Sequence, residues 1–334
     1  MSAAYWREQR VLVGGGCGFL GSYLVPLLAD SGARITVVDN LASGHPDALA
    51  PVAGRVEFVE ADLSDPAVCD RHMHGKTAVL NLAARAFGMD YSRSHHGQML
   101  VHNLLCTLAP LEAARRHGVT DYLVVSSSCV YPDDGPTPTP ELEAFSGRPE
   151  AVNEGYGWAK RIQELAGTYF AAEHRMRVTI VRPFNVYGGR YRWRDAQTAH
   201  VVPSLVKRVM DGEDPLIVWG SGQQRRNLLH GSDAAELMLR VVESAPGPEP
   251  VNIGYEDDTS ISELVDLICE VAGVRPAVVF DTSKPEGRFR KSADATRLRL
   301  LTGGYTPRVS LREGLLDMKG WYDRTFGRGE RSAG

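Results

Sequence analysis

The chain has 334 residues, 43% of them hydrophobic, and a formal net charge of -4 at pH 7. That is enough apolar material for a sizeable core in two lobes, and the mixed, slightly acidic charge excludes a nucleic-acid footprint or a membrane-attracted basic stripe. The longest apolar runs, as in "RITVVDN", reach only about 5 to 8 residues against the ~20 of a spanning helix, and "MSAAYWREQRVLVGGG" holds no signal-like apolar core, so a cytoplasmic enzyme is expected.

Short β-branched runs alternate with longer amphipathic stretches, the pattern of parallel strands joined by crossover helices. Strands are predicted over 10–13, 34–39, 56–62, 78–83, 121–127 and 177–183. Such a series makes an α/β fold on a Rossmann-type, doubly wound parallel sheet. The first strand runs into "GGGCGFLG", where Gly15, Gly18 and Gly21 stand in G-x-x-G-x-x-G spacing and Phe19 and Leu20 open the next helix. A turn without side chains lets backbone N–H groups and a helix N-terminus approach a pyrophosphate. The second strand ends at Asp39, followed by Asn40, near the ~20-residue separation at which a carboxylate meets the adenine ribose hydroxyls. A carboxylate there repels a 2′-phosphate, so the expected cofactor is NAD rather than NADP.

The Pro-rich stretch 132–150 reads as a loop that wraps over something. Just before it, "SSSCVYP" places Ser127, Ser128 and Cys129 at the end of the fifth strand. Tyr156 and Lys160, at i and i+4, share one helix face. A neighbouring cation favours the phenolate, so Tyr156 could remove the proton of an alcohol oriented by Ser127 or Ser128 while hydride leaves for the nicotinamide. Farther on, "HVVPSLVKRVMDG" reads as a helix with a basic side, and "KPEGRFRK" brings Lys284, Arg288 and Arg290 together, charges that suit a diphosphate. The five cysteines (Cys17, Cys69, Cys106, Cys129, Cys269) are odd in number and scattered, arguing against disulfides and against a metal site. Cys17 is expected only to pack in the glycine turn, and His95, His96 and His102 are given no role.

Taken together, "GGGCGFLG", "VVDNLASG", "ADLSD", "LNLAA", "SSSCVYP", "YGWAK", "RPFNVYG", "VWGSG" and "VNIG" resemble the extended short-chain dehydrogenases/reductases that act on nucleotide sugars, over nearly the whole chain. The resemblance implies an NAD-binding lobe, 1–184 with 226–252 returning to it, and a smaller C-terminal α/β lobe, the rest of 185–330, that holds a nucleotide-diphosphate sugar. It implies a triad of Ser127, Tyr156 and Lys160, adenine contacts from Asp62 and Leu63, and a dinucleotide path lined by Leu82, Ala83 and Ala84. Asn185 matches the residue at the sugar diphosphate and Arg226 the phosphate-binding arginine. Val202 and Trp219 lie in matching segments of the substrate lobe. Asn227 and Gly231 depart from the family's pattern. Members commonly form homodimers through two helices of the NAD lobe.

Within the family, "SSSCVYPDDGPTPTPELE", "EAVNEGYGWAK", "AHVVPSL" and "FDTSKPEGRFRK" resemble GDP-L-fucose synthases and GDP-mannose 3,5-epimerases. This resemblance makes Cys129 and His200 an acid/base pair and Met89 a substrate-side residue. Thiols titrate near 8.5 and imidazoles near 6.5, both suited to proton exchange beside a transient C4 ketone. Because Asp39 points to NAD, the expectation is a GDP-mannose 3,5-epimerase-type enzyme that oxidises C4, inverts C3 and C5, and returns the hydride. The alternatives are an NDP-sugar 4-epimerase or a GDP-L-fucose-synthase-like epimerase-reductase and, from a different class, a catalytically idle NAD sensor.

Overall fold

The computed structural model describes residues 2–143, 145–190, 200–284 and 287–327, and the side chains of residues 89 and 90 lie outside the description. All six predicted strands form: β1 (Arg10–Gly14), β2 (Arg34–Asp39), β3 (Val56–Glu60), β4 (Ala78–Asn81), β5 (Asp121–Val125) and β6 (Arg177–Pro183). A seventh, β7 (Val251–Ile253), is too short for its periodicity to announce it and pairs with β6. The sheet is parallel throughout, in the order β7-β6-β5-β4-β1-β2-β3. Strand order reverses between β1 and β4, and the crevice beyond the carboxyl ends there is where open α/β sheets bind ligands.

Three of these strands stop short of the predicted ends, for one shared reason. Asp62 Oδ1 accepts the Ser64 N–H (2.8 Å), Asn81 Oδ1 that of Ala83 (3.2 Å), and Ser127 Oγ that of Cys129 (3.2 Å). Each short side chain captures the amide two residues on and turns the backbone out of the ladder. The carboxyl edge of the sheet is thus a row of tight turns around the crevice.

Among the described residues, the longer helices are α1 (Phe19–Asp30), α2 (Pro66–Met73), α3 (His96–Arg116), α4 (Glu154–Glu173), α5 (Val201–Met210), α6 (Gly231–Ser244), α7 (Ile261–Ala272) and α8 (Leu311–Phe326). Side chains alternate across a strand, so Val11 and Val13 join the core with Leu24 and Leu28 of α1 and Leu237 and Val241 of α6, while Leu12 joins that of Met73 and Leu111 on the other face. Covering both faces is what allows β1, β4 and β5 to be almost wholly apolar. A smaller C-terminal α/β region packs Leu205 and Val209 of α5 against Leu264 and Ile268 of α7 and Leu315 and Met318 of α8. Both α7 and α8 start with a reciprocal cap, Ser260 with Glu263 and Ser310 with Glu313. Two short strands there, Arg225–Arg226 and Arg290–Lys291, run parallel and set Lys291 beside Arg226.

The Pro-rich loop does wrap, and buried arginines hold it down. Arg288 Nη2 donates to Gly135 O (2.8 Å), Pro136 O (2.9 Å) and Thr137 Oγ1 (2.8 Å), while Arg161 Nη1 donates to Gly147 O (2.6 Å). Among the described residues no helix is long and apolar enough to cross a membrane, and no group of three or more His, Cys, Asp or Glu is placed to hold a metal ion. All five cysteines are free.

Candidate active site

One cavity of about 1410 Å³ runs from the glycine turn and Asp39, past the end of β5, to Trp219, Arg226 and the C-terminal part of α8. At one end Gly15 has φ of +71°, and a Cβ there would stand 2.8 Å from Ala83 Cα. Gly21 is packed against the turn itself, its added Cβ falling 2.4 Å from Gly16 O. Only glycine lets α1 begin this close to the sheet. Gly18 is the N-cap of α1 and offers no side-chain cap, so the helix start at Phe19 and Leu20 faces the cavity with its positive dipole end.

Asp39 lies against this turn, Oδ2 accepting the Cys17 N–H (2.9 Å) and Oδ1 the Leu41 N–H (2.8 Å). Asn40 Nδ2 donates to Asp62 Oδ2 (2.8 Å), which ties the ends of β2 and β3 into one wall with Leu63. Leu82, Ala83 and Ala84 continue it. A glycine cradle that any Cβ would fill, a helix N-terminus and a carboxylate at the end of β2 fit a dinucleotide with free ribose hydroxyls. The residues present therefore suit NAD.

Ser127, Ser128, Cys129, Tyr156, Lys160 and His200 all line the middle of the cavity. Lys160 is buried. Its Nζ donates to Val125 O (2.8 Å) and Gln163 Oε1 (3.0 Å), lies 5.4 Å from the centre of the Tyr156 ring, and is pushed down to about 8 by burial. The expected lowering of the Tyr156 pKa by Lys160 is not found. Burial pushes the phenol above its ordinary value, the neighbouring Cys129 and Cys106 add to the rise, and the Ser127 hydroxyl only partly opposes it. Tyr156 therefore rests as a protonated phenol, a proton donor.

Cys129 is not alone in the wall. Lys291 Nζ stands 3.8 Å from its Sγ and 3.0 Å from Glu150 Oε2, and Glu150 also accepts from Asn153 Nδ2 (2.9 Å). Burial pushes the thiol up to about 11, with Lys291 pulling it down and Glu150 pushing it up. Burial would raise the Glu150 carboxyl too, but Lys291 and Asn153 outweigh it and hold it at about 2. His200, the N-cap of α5, opens on the cavity's solvent yet is walled by protein. Burial and then the Lys291 charge lower its pKa, leaving a neutral imidazole. At neutral pH the pair is therefore a thiol that can donate and an imidazole that can accept.

The far end holds Asn185, Val202, Trp219 and Arg226. Asn185 has φ of +36° and donates from Nδ2 to Asn227 O (3.0 Å). Two expected phosphate ligands are placed elsewhere: Arg288 is spent on the Pro-rich loop, and Lys284 is exposed, 5.8 Å from the centre of the Trp219 ring. Met89 lies outside the described side chains. Lys291 and Glu150 are the residues sequence reasoning missed. Lys291 closes the same "KPEGRFRK" segment, but the strand Arg290–Lys291 turns Arg290 out to Asp258 and Lys291 in.

The NAD dependent epimerase/dehydratase family matches residues 11–254. The GDP-L-fucose synthase of Escherichia coli (strain K12) is 31% identical over 257 residues, 72% of this chain and 78% of that protein. The GDP-L-fucose synthase 1 of Arabidopsis thaliana is 29% identical over 322 residues, 95% of this chain and 94% of its own length. Among solved structures, UDP-glucose 4-epimerase of Thermotoga maritima with UDP-glucose superposes with a TM-score of 0.84 at 28% identity, covering 95% of this chain and 99% of that one. Of the two expected likenesses, these relatives bear out the one to the GDP-L-fucose synthases. A cavity walled by a glycine turn, Asp39 and the Tyr156–Lys160 helix is what the matched segment builds, and the chain belongs to the NAD dependent epimerase/dehydratase family as an NAD-dependent, epimerase-type enzyme of nucleotide sugars.

Proposed function

We propose that this enzyme is a GDP-sugar epimerase-reductase of the GDP-L-fucose-synthase type, acting on a GDP-linked 4-keto-6-deoxyhexose. The observation that carries the reading is that Cys129 and His200 open on the same cavity as Tyr156 and Lys160. A ketone at C4 acidifies the protons on C3 and C5. The neutral His200 imidazole takes such a proton, and the Cys129 thiol supplies one to the enolate carbon, so the centre inverts when the two act from opposite sides. When bound, the nicotinamide supplies the hydride for C4. The protonated Tyr156 phenol gives its proton to the C4 oxygen, with Ser127 as its hydrogen-bond neighbour and the Lys160 ammonium close to its ring. We assign the diphosphate to Arg226 and Asn185, the nucleotide end to Trp219 and Val202, the sugar to Ser128, and the two roles to two lobes, 1–184 with 226–252 and the rest of 185–330.

A second reading is favoured by Asp39, whose carboxylate disfavours the 2′-phosphate of NADPH. It is an epimerase that returns the hydride to the carbon that lost it. Incubation in heavy water with GDP-4-keto-6-deoxymannose and NADH separates the two. The proposal expects equimolar NADH consumption with deuterium entering C3 and C5, and Cys129→Ala is expected to lower that entry by about 10²–10⁴-fold with NAD still bound. Turnover of a fully reduced sugar nucleotide with no NADH consumed selects the second reading. No change in any sugar, with NAD bound, leaves only an NAD sensor.

We also propose a homodimer. Val101, Leu105 and Leu108, exposed by 53%, 50% and 39%, lie at i, i+4 and i+7 on α3, and Tyr169 of α4, 55% exposed, extends the apolar surface of the adjoining helix. Light scattering is expected to give twice the chain mass, and Leu105→Glu to halve it. A monomeric unsubstituted chain rules the pairing out.

A further inference from the structure

Resting on the reading of Cys129 as an acid/base residue, we propose that Lys291 is a positioning residue for the proton exchange: its ammonium, 3.8 Å from Cys129 Sγ and anchored 3.0 Å from Glu150 Oε2, stabilises the thiolate left when Cys129 gives up its proton. In that step the S–H bond breaks, a C–H bond forms at the enolate carbon, and sulfur keeps the electron pair. No oxidant or reductant takes part, and the thiolate later regains a proton through cavity water as the His200 imidazolium releases the one that it took.

The arrangement is built rather than incidental. Lys291 and Glu150 are 6% and 7% exposed, and both line the cavity with the thiol. A cation so placed needs an anionic partner, and a carboxylate on one side of the ammonium leaves its other side within reach of the sulfur. Glu150 does this from the end of the Pro-rich loop, its second hold being Asn153. Among the described residues, charged or titratable groups that also face this cluster are Arg226 on the neighbouring strand, Arg288 beside Glu150, Tyr156 and Lys160 on α4, and His200 at the start of α5. Lys291 acts on both members of the exchange pair at once. It opposes the rise that burial imposes on the thiol and adds to the lowering that burial imposes on His200. One cation thereby favours the thiolate that Cys129 becomes after giving its proton and the neutral imidazole that His200 must be before taking one.

The test reads the thiol directly, with no substrate present. Cys129 is alkylated with iodoacetamide across a pH series, and its peptide is quantified by mass spectrometry apart from those of the other four cysteines. Lys291→Met is expected to move the alkylation profile of Cys129 upward by about 1–3 pH units, read as a roughly 10–10³-fold slower alkylation near pH 9, and Lys291→Arg to restore most of that change. Glu150→Gln is expected to move it downward. Should Lys291→Met fold poorly because Glu150 is stranded, Lys291→Gln, which keeps a hydrogen-bond donor for Glu150 but no charge, is expected to move the profile upward as well. An unmoved profile in the uncharged Lys291 variants overturns the inference. Undiminished deuterium entry in Cys129→Ala would instead overturn the role of Cys129, and the alkylation profile distinguishes the two failures.

Discussion

Tyr156→Phe is expected to lower kcat by about 10²–10⁴-fold while NAD binding and the melting temperature stay close to those of the unsubstituted enzyme. That loss corresponds to about 3–5 kcal/mol of transition-state stabilisation. Phenylalanine keeps the ring that packs 5.4 Å from Lys160 Nζ, so the only thing removed is the hydroxyl. Burial is the main reason the phenol stays protonated, and a protonated phenol is what an alkoxide forming at C4 needs. The ammonium of Lys160 is fixed by Val125 O and Gln163 Oε1 and is independent of the substituted hydroxyl. Since burial brings Lys160 down to about 8, it carries its charge below that pH and loses it above. The kcat/KM profile of the unsubstituted enzyme should therefore fall on the alkaline side of that value. A kcat for Tyr156→Phe within a few-fold of the original would remove Tyr156 from the chemistry.

The largest effect on stability is expected at Glu164. Arg182 Nε and Nη2 donate to its two carboxylate oxygens at 2.8 and 2.6 Å, and the side chains are 1% and 4% exposed. Ser126 Oγ also donates to Glu164, while Arg182 Nη1 reaches Tyr131 OH (2.9 Å) and Leu142 O (2.7 Å). Tyr131 OH in turn donates to Asn252 Oδ1 (2.6 Å) on β7. This network ties α4, the ends of β5 and β6, the Pro-rich loop and β7 together directly beneath the reactive residues. Glu164→Ala leaves a guanidinium buried without its carboxylate, a change that costs about 3–5 kcal/mol. Urea unfolding measures it. Adding Arg182→Leu is expected to recover part of the loss, because the unpaired charge is then gone. A cost under about 1 kcal/mol for Glu164→Ala would mean that the pair contributes little beyond shape.

The six main strands and Asp39 were legible because β-branched runs and a glycine turn declare themselves within a few residues. The ends of three strands were not, since an Asp, Asn or Ser capturing the amide two residues ahead competes with the ladder without changing the hydrophobic pattern. β7 escaped for want of length. Of the cations in "KPEGRFRK", the pattern offered no reason to prefer Lys291. Arg288 was drawn to three oxygens of the Pro-rich loop, and Arg290 to Asp258.

What the amino-acid order determined by itself was the sheet, the dinucleotide turn and the shared face of Tyr156 and Lys160, because each depends on spacing inside one strand, turn or helix. Tertiary structure alone decided which protons rest where. Lys291 meets Cys129 across 162 positions of chain and Glu150 across 141, and the burial that keeps the phenol and the thiol protonated and the imidazole neutral arises only when the walls of the cavity close around them. Proton affinity in a protein follows local dielectric and nearby charge, and neither quantity exists until distant segments are packed.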